Sequence, residues 1–191
     1  SHEILDDALD TYEQIIEDYD VVILSDYGKG GLSHTVKMVE IARKHNKKIL
    51  VDPKGSDYAK YNGATIITPN KSEMRDAVGD WINEDELHRK ANQLISSLDF
   101  SDLLVTRSEE GMTLFAEKAH NYPTFAQEVY DVSGAGDTVI ATLGLMLAND
   151  VNIADAVQIA NFAAGIVVAK LGTATVSKQE LINNMTKHIV G

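Results

Sequence analysis

The chain contains no cysteine, so it has neither a disulfide framework nor a thiolate metal site. Positive charge is scarce. Lys and Arg number 17 against 29 Asp and Glu, for a net charge of −12. That balance argues against a nucleic-acid or anionic-membrane surface, although a local basic pocket for phosphate stays open. No apolar run is long: the stretches at 139–148 and 162–169 are about half of the ~20 residues that a bilayer crossing requires. The pattern expects no membrane partner, no nucleic-acid partner and a cytoplasmic location. No internal repeat and no low-complexity segment interrupts it. His2, His34, His45, His88, His120 and His188 show no metal-ligand spacing and read as surface residues. A Walker motif G-x-x-x-x-G-K-[ST] is missing, and no G-x-G-x-x-G follows the first strand. No signal-peptide pattern opens the chain. It enters helical periodicity directly at Ile4, which leads us to expect a piece of something longer.

What is present suffices for one ordinary domain: 191 residues, 44% of them apolar. Residues 4–19 carry apolar side chains at helical spacing. "DVVILSDYGKG" reads as a buried strand running into a glycine-rich loop. Ser33 is a candidate N-cap for a helix over 35–45. "KKILVDPKG" and "GATIITPN" are a second and a third strand, ended by Pro53 and Pro69. A short helix follows over Lys71–Val78, then another from Asn83 or Glu84 to about Leu98. "DLLVTRSEEGMTLF" is a strand, a turn and a hairpin partner, and "HNYPTFAQEVYD" is an extended, edge-like segment. Helices are expected over 137–147, 153–170 and 178–188. Met112, Met146 and Met185 read as core.

The strands around Val21, Ile49, Ile66 and Leu103 are continuously apolar and alternate with helices, the pattern of a parallel sheet covered on both faces. Ligands of such sheets collect beyond the carboxyl ends of the strands. "SDYGKG", "DPKG", "TPNKSE" and "TRSEEG" all fall at that edge, and together with "DVSGAGDTV" they point to a single site. In the last motif Gly134, Ala135 and Gly136 stand at the mouth of a helix. Peptide N–H groups there lack partners, and the helix dipole adds positive character. Together they can hold a phosphate charge, and the missing side chains let it approach the backbone. Asp137 can then accept a proton from the hydroxyl that attacks phosphorus, because phosphoryl transfer needs mainly positioning, charge neutralisation and a carboxylate beside the nucleophile.

These motifs carry a resemblance. "DVSGAGD" resembles the C-terminal signature of the ribokinase-like (PfkB) sugar kinases. "TPNKSE" resembles their Asn-x-x-Glu magnesium motif, in Asn70 and Glu73. The ordered set from "SDYGKGGL" to "DVSGAGDTV" resembles the heptose 7-phosphate kinase subgroup, which feeds lipopolysaccharide core synthesis. The resemblance implies a three-layer α/β/α fold with a mostly parallel central sheet. It also implies use of ATP and Mg2+ and a sugar phosphate acceptor, with attack by the C1 hydroxyl. By position, Asp137 resembles the catalytic base, and Gly134, Ala135 and Gly136 resemble the anion hole. Asn70 and Glu73 resemble groups that hold Mg2+ through water, which suits a cation that keeps its waters. Lys71, Thr106, Arg107, Ser108 and Gly111 resemble nucleotide contacts, and Asn161 and the loop 171–174 the adenine-side wall. Lys29 and Lys54 are further candidates to meet phosphate.

The family pattern is departed from at Val132, usually Thr, and at Val139, often aromatic; the heptose subgroup shares both. The chain resembles only the C-terminal, nucleotide-binding half of one kinase domain, residues 1–191 with no separate second domain, and nothing before Ile4 supplies the sugar-side half or lid. No His-x-Gly-His of a nucleotidyltransferase domain occurs. This fragment alone is therefore expected to be inactive. Its uncovered sheet edge is expected to give a homodimer or larger aggregates.

Plainer readings run alongside. The glycines fit a tight turn, Asp131 a turn-stabilising acid, and Asn70 with Glu73 a capping box. Lys71 and Arg107 fit solvated positions, Asp26 and Asp52 strand-end turn acids, and Asn161 a satisfied buried amide. Three functions compete: a truncated ATP-dependent sugar kinase, for a heptose phosphate or another sugar; a non-catalytic nucleotide-binding module; and a dinucleotide-binding dehydrogenase domain, disfavoured because "GAG" lies far from the first strand.

Overall fold

A computed structural model describes residues 2–30, 32–116, 118–125 and 129–190, so Gly31 of the "SDYGKGGL" motif and residues 126–128 of the edge-like segment lie outside the described residues. Helix α1 (His2–Ile15) leads into strand β1 (Val21–Ser25), then α2 (Thr35–Lys44), β2 (Lys48–Asp52) and the two-residue β3 (Ile66–Ile67). Helices α3 (Lys71–Val78) and α4 (Glu84–Ser97) precede β4 (Asp102–Thr106), β5 (Met112–Phe115) and β6 (Ala119–Tyr122). Helices α5 (Ala135–Ala148), α6 (Ile153–Val168) and α7 (Lys178–Val190) complete the chain.

The strands form one sheet in the order β1-β2-β3-β4-β5-β6. β1 to β4 pair in parallel, and β5 and β6 return antiparallel. Alternate residues of the central strands feed two cores. Ile49, Val51, Ile67, Leu103 and Val105 pack with Val39, Met74, Leu87 and Ala91 of α2 to α4. Leu50, Ile66 and Leu104 pack with Ile140, Leu143, Val157 and Ala160 of α5 and α6. Burial on both faces explains why these strands lack polar alternation, and the expected three-layer α/β/α fold is what the chain adopts.

The short helix α3 begins where the sequence places it. Asn70 Oδ1 accepts from the amides of Ser72 (2.9 Å) and Glu73 (3.0 Å), and Glu73 Oε2 accepts from the Asn70 amide (3.0 Å). Helix α4 opens at Asn83, which accepts from the Glu86 amide. Two helix starts differ from expectation. Ser33 does not cap α2; His34 stands at that position without a side-chain cap, and Thr35 Oγ1 instead donates to Leu32 O at 2.5 Å. Helix α5 begins at Ala135 rather than Asp137, because Gly134 takes the left-handed conformation at its mouth (φ 79°). Histidines 34, 45 and 88 are half-buried rather than exposed, with the His88 ring edge-on to Phe115. Met112 is in the core, whereas Met146 and Met185 are half-buried.

At the other side of the sheet, β1 pairs only with β2 among the described strands. Ile23 on β1 is 40% exposed and Leu145 on α5 is 60% exposed, so that flank carries uncovered apolar surface. Among the described residues no helix is long and apolar enough to cross a membrane.

Candidate functional site

The carboxyl ends of β1 to β4 and the mouth of α5 meet at one edge of the sheet. An isolated parallel bridge between Asn70 and Thr106, with the Thr106 amide donating to Pro69 O (2.9 Å), ties "TPNKSE" to the end of β4. Beside it lies a cavity of about 520 Å³. Thr106, Ser108, Gly111, Ala135, Gly136 and Asn161 all line it, together with apolar side chains such as Met112, Val139 and Val168. One polar rim on an apolar pocket is the usual make-up of a small-molecule site.

Gly111 is fixed by geometry. Its φ is 87°, and a Cβ there would lie 2.0 Å from Tyr122 O, so no other residue fits between the β4–β5 turn and the strand beside it. Asn161 is buried and its Nδ2 donates to Pro123 O (2.7 Å), which leaves its second N–H and its carbonyl oxygen as the groups it can present to the cavity.

The mouth of α5 has the properties an anion hole needs. The Ala135 amide donates to Val132 O (3.2 Å), whereas the amides of Gly136 and Asp137 have no acceptor among the described residues. A Cβ on Gly136 would meet nothing within 4 Å, so the space beside its amide is open. Asp137 sits at the third residue of the helix with its side chain exposed. Asp131 has the turn-stabilising role: its Oδ1 accepts from the Ser133 amide at 2.8 Å. Residues of the loop 171–174 pack against this turn, with Thr173 Cγ2 3.5 Å from where a Gly134 Cβ would stand, and they do not line the cavity.

Asp137 belongs to a group of acids. Asp52, at the end of β2, is half-buried, and its carboxyl is pushed up to about 6, first by burial and then by the negative charges of Glu73 and Asp137, against the pull of Lys54. Three carboxylates from β2, α3 and α5 thus share one electrostatic neighbourhood. Asp52 is the residue that sequence reasoning undervalued: an acid before a proline at a strand end looks like a turn residue, and only the tertiary approach of Glu73 and Asp137 distinguishes it.

Glu73 is only 8% exposed. Its Oε1 accepts from Lys54 Nζ (3.1 Å) while Oε2 is held by the capping box. The capping role of Asn70 and Glu73 is therefore real, and it also sets their outward chemistry. With Oδ1 occupied by two amides, Asn70 meets solvent through Nδ2, a donor suited to water or a phosphate oxygen rather than to direct metal ligation. Among the described residues no three Asp, Glu or His side chains close on a point as direct metal ligands. This donor set suits a cation that keeps most of its waters.

Two basic residues are not delivered to the cavity. Arg107 is 8% exposed and turned into carboxylates: its guanidinium donates to both Glu84 oxygens (2.6 and 2.8 Å) and to Thr113 Oγ1 (3.1 Å), and lies 2.7 Å from Glu110 Oε2. Its charge holds Glu84 below the ordinary carboxylate range. The expectation that Arg107 faces nucleotide phosphates gives way to a structural role, locking the β4–β5 turn onto α4. Lys71 is paired with Glu110, and neither lines the cavity.

Known proteins resemble this chain in sequence and in fold. A family model described as pfkB family carbohydrate kinase matches residues 1–180. The bifunctional protein HldE of Histophilus somni is 52% identical over 179 residues, covering 93% of this chain and 38% of that protein. The D-beta-D-heptose 7-phosphate kinase of Bordetella bronchiseptica is 52% identical over 169 residues, covering 88% of this chain and 54% of that protein. The chain thus spans about half or less of the length of these relatives. Among solved structures, Arabidopsis thaliana ribokinase complexed with ribose and ATP superposes with a TM-score of 0.81 at 19% identity, over 92% of this chain and 59% of that one. Escherichia coli phosphofructokinase-2 gives 0.80 at 16% identity, over 95% and 62%. At such identities the structural likeness is one of fold. Sequence, fold and relatives agree that the chain belongs to the pfkB family carbohydrate kinases.

Proposed function

We propose that the chain is the nucleotide-binding, C-terminal part of a cytoplasmic kinase domain that transfers a phosphoryl group from ATP to the C1 hydroxyl of a heptose 7-phosphate. The observation that carries this reading is the placement of exposed Asp137 beside the unpaired amides of Gly136 and its own backbone, at the mouth of α5 and next to the cavity. The names of relatives at about half identity support the heptose acceptor.

In this reading the cavity takes the adenosine, with Asn161, Gly111 and Thr106 on its wall. The free amides at the helix mouth hold the migrating phosphoryl group, where fixed dipoles cost no reorganisation as charge develops. Asp137 orients the attacking hydroxyl and receives its proton. Glu73 and Asp52 would hold Mg2+ through water, and the Nδ2 of Asn70 would donate to a phosphate oxygen or to such a water. When bound, Mg2+ supplies neutralisation of phosphate charge. The uncovered β1 edge, with Ile23 and Leu145, supports the view that more of the kinase packs there and supplies the sugar side. Separated from it, the chain pairs through this edge into a homodimer.

The test is an ATP-consumption assay with heptose 7-phosphate and Mg2+. The full-length kinase containing this chain is expected to turn over, with product phosphorylated at C1. The 191-residue chain alone is expected to bind nucleotide with little turnover. Measurable heptose phosphorylation by the chain alone contradicts the assignment of the sugar side to other residues, and no turnover by the full-length protein contradicts the substrate.

A further inference from the structure

The acid cluster contains a lysine whose backbone is restrained from two sides, and both restraints end on one carboxylate. The Lys54 amide donates to Tyr61 Oη (3.1 Å), and the Lys54 carbonyl accepts from Lys60 Nζ (3.2 Å). Tyr61 Oη and Lys60 Nζ each donate in turn to Asp26 Oδ2 at 2.7 Å. The other oxygen, Asp26 Oδ1, accepts from the Gly28 amide at 2.7 Å. Gly28 is left-handed (φ 67°), and a Cβ on it would stand 3.4 Å from Lys54 Cγ, so this loop turn lies directly over the Lys54 side chain. Asp26 is itself buried, its amide donates to Asp52 O (3.0 Å), and Tyr61 is completely buried. At the far end of the arrangement Lys54 Nζ rests on Glu73 at 3.1 Å, with the side chain 55% exposed.

A carboxylate that only stabilised a turn would need one or two of these contacts. Asp26 instead joins the "SDYGKG" loop, the "DPKG" loop and the Tyr61 segment, and its two partners Lys60 and Tyr61 both bond the backbone of Lys54, the residue whose ammonium meets Glu73. We propose that Asp26 is a positioning residue that holds the backbone of Lys54 so that its ammonium stands at the acid cluster, where it neutralises phosphate charge during transfer. The Glu73 contact keeps that ammonium in place while no phosphate is bound. This inference rests on the kinase reading for its chemistry, but its structural link does not.

Two measurements separate the two. In the 191-residue chain, Asp26→Asn is expected to shift the NMR resonances of the Lys54 amide and ammonium. Tyr61→Phe, which removes the hydroxyl between Asp26 and Lys54, is expected to do the same and serves if Asp26→Asn does not fold. Unchanged Lys54 resonances overturn the proposal whether or not the protein is a kinase. In the full-length kinase, Asp26→Asn and Lys54→Gln are each expected to lower kcat about tenfold, with KM for ATP within about threefold. The double variant is expected to fall within about twofold of Lys54→Gln alone, since a residue that acts through another adds nothing once that other is gone. A double variant whose loss equals the product of the single losses overturns the proposal, as does a normal kcat for Asp26→Asn. Failure of the wild-type kinase to phosphorylate a heptose phosphate counts against the substrate reading instead.

Discussion

Replacing Asp137 with asparagine is expected to lower kcat of the full-length kinase by ~10²-fold or more, with ATP binding changed by no more than about threefold. The amide has the shape of the carboxylate and sits at the same exposed position in the first turn of α5. The free amides of Gly136 and residue 137 stay where they are, so the hold on phosphate survives. What is lost is the proton acceptor and the orientation it gives the attacking hydroxyl. The two effects separate in steady-state kinetics paired with ADP calorimetry. A near-normal kcat shows that another group takes the proton. A collapse of nucleotide affinity shows that Asp137 was part of the nucleotide pocket.

Asp52→Asn is expected to move stability and cation response in opposite directions. The Asp52 carboxyl is pushed up to about 6 by burial and by Glu73 and Asp137, above the ~3.9 of an unperturbed aspartate. A group raised in the folded state contributes stability that is complete below about pH 3.9 and is lost as pH rises through about 6. In chelator, wild-type stability from Asp52 therefore declines between about pH 4 and pH 7. Allowing for the water that reaches this half-buried side chain, the loss is on the order of 1–2 kcal/mol. Asparagine removes the ionisation and the repulsion. The variant is expected to match wild type near pH 4, to exceed it by that amount at pH 7 to 8, and to gain less from added Mg2+. Urea melts across the pH range, with and without Mg2+, read both effects. A variant that is less stable than wild type at pH 7, or that gains equally from Mg2+, contradicts the view that this carboxylate is kept for a cation at the expense of the apo fold.

Parts of this site are legible in the sequence because the signal is local. Pro69, Asn70 and Glu73 announce the start of α3 within a few residues, through a proline stop and a reciprocal cap. The continuously apolar β2 and β4 announce a doubly covered sheet. The true start of α5, two residues before the expected one, is not legible because a left-handed glycine at a helix mouth offers no side-chain signal. The pairing of Arg107 is hidden from its local sequence for a different reason. Its partner Glu84 lies on α4, far away in the chain, and nothing in "VTRSEEG" shows that the guanidinium turns back rather than forward. Asp52 closes β2, Asp26 directly follows β1, and the two look alike in sequence. One gathers hydrogen-bond donors and the other gathers negative charge, and only the fold tells them apart.

The most direct measurement is a structure of the full-length kinase with ADP, Mg2+, aluminium fluoride and heptose 7-phosphate. Fluoride is expected within about 3 Å of the Gly136 and Asp137 amides, the transition-state distance for such donors, with the sugar C1 hydroxyl in hydrogen-bond reach of the Asp137 carboxylate. Fluoride bound away from the mouth of α5, or a sugar hydroxyl served by a different base, contradicts it.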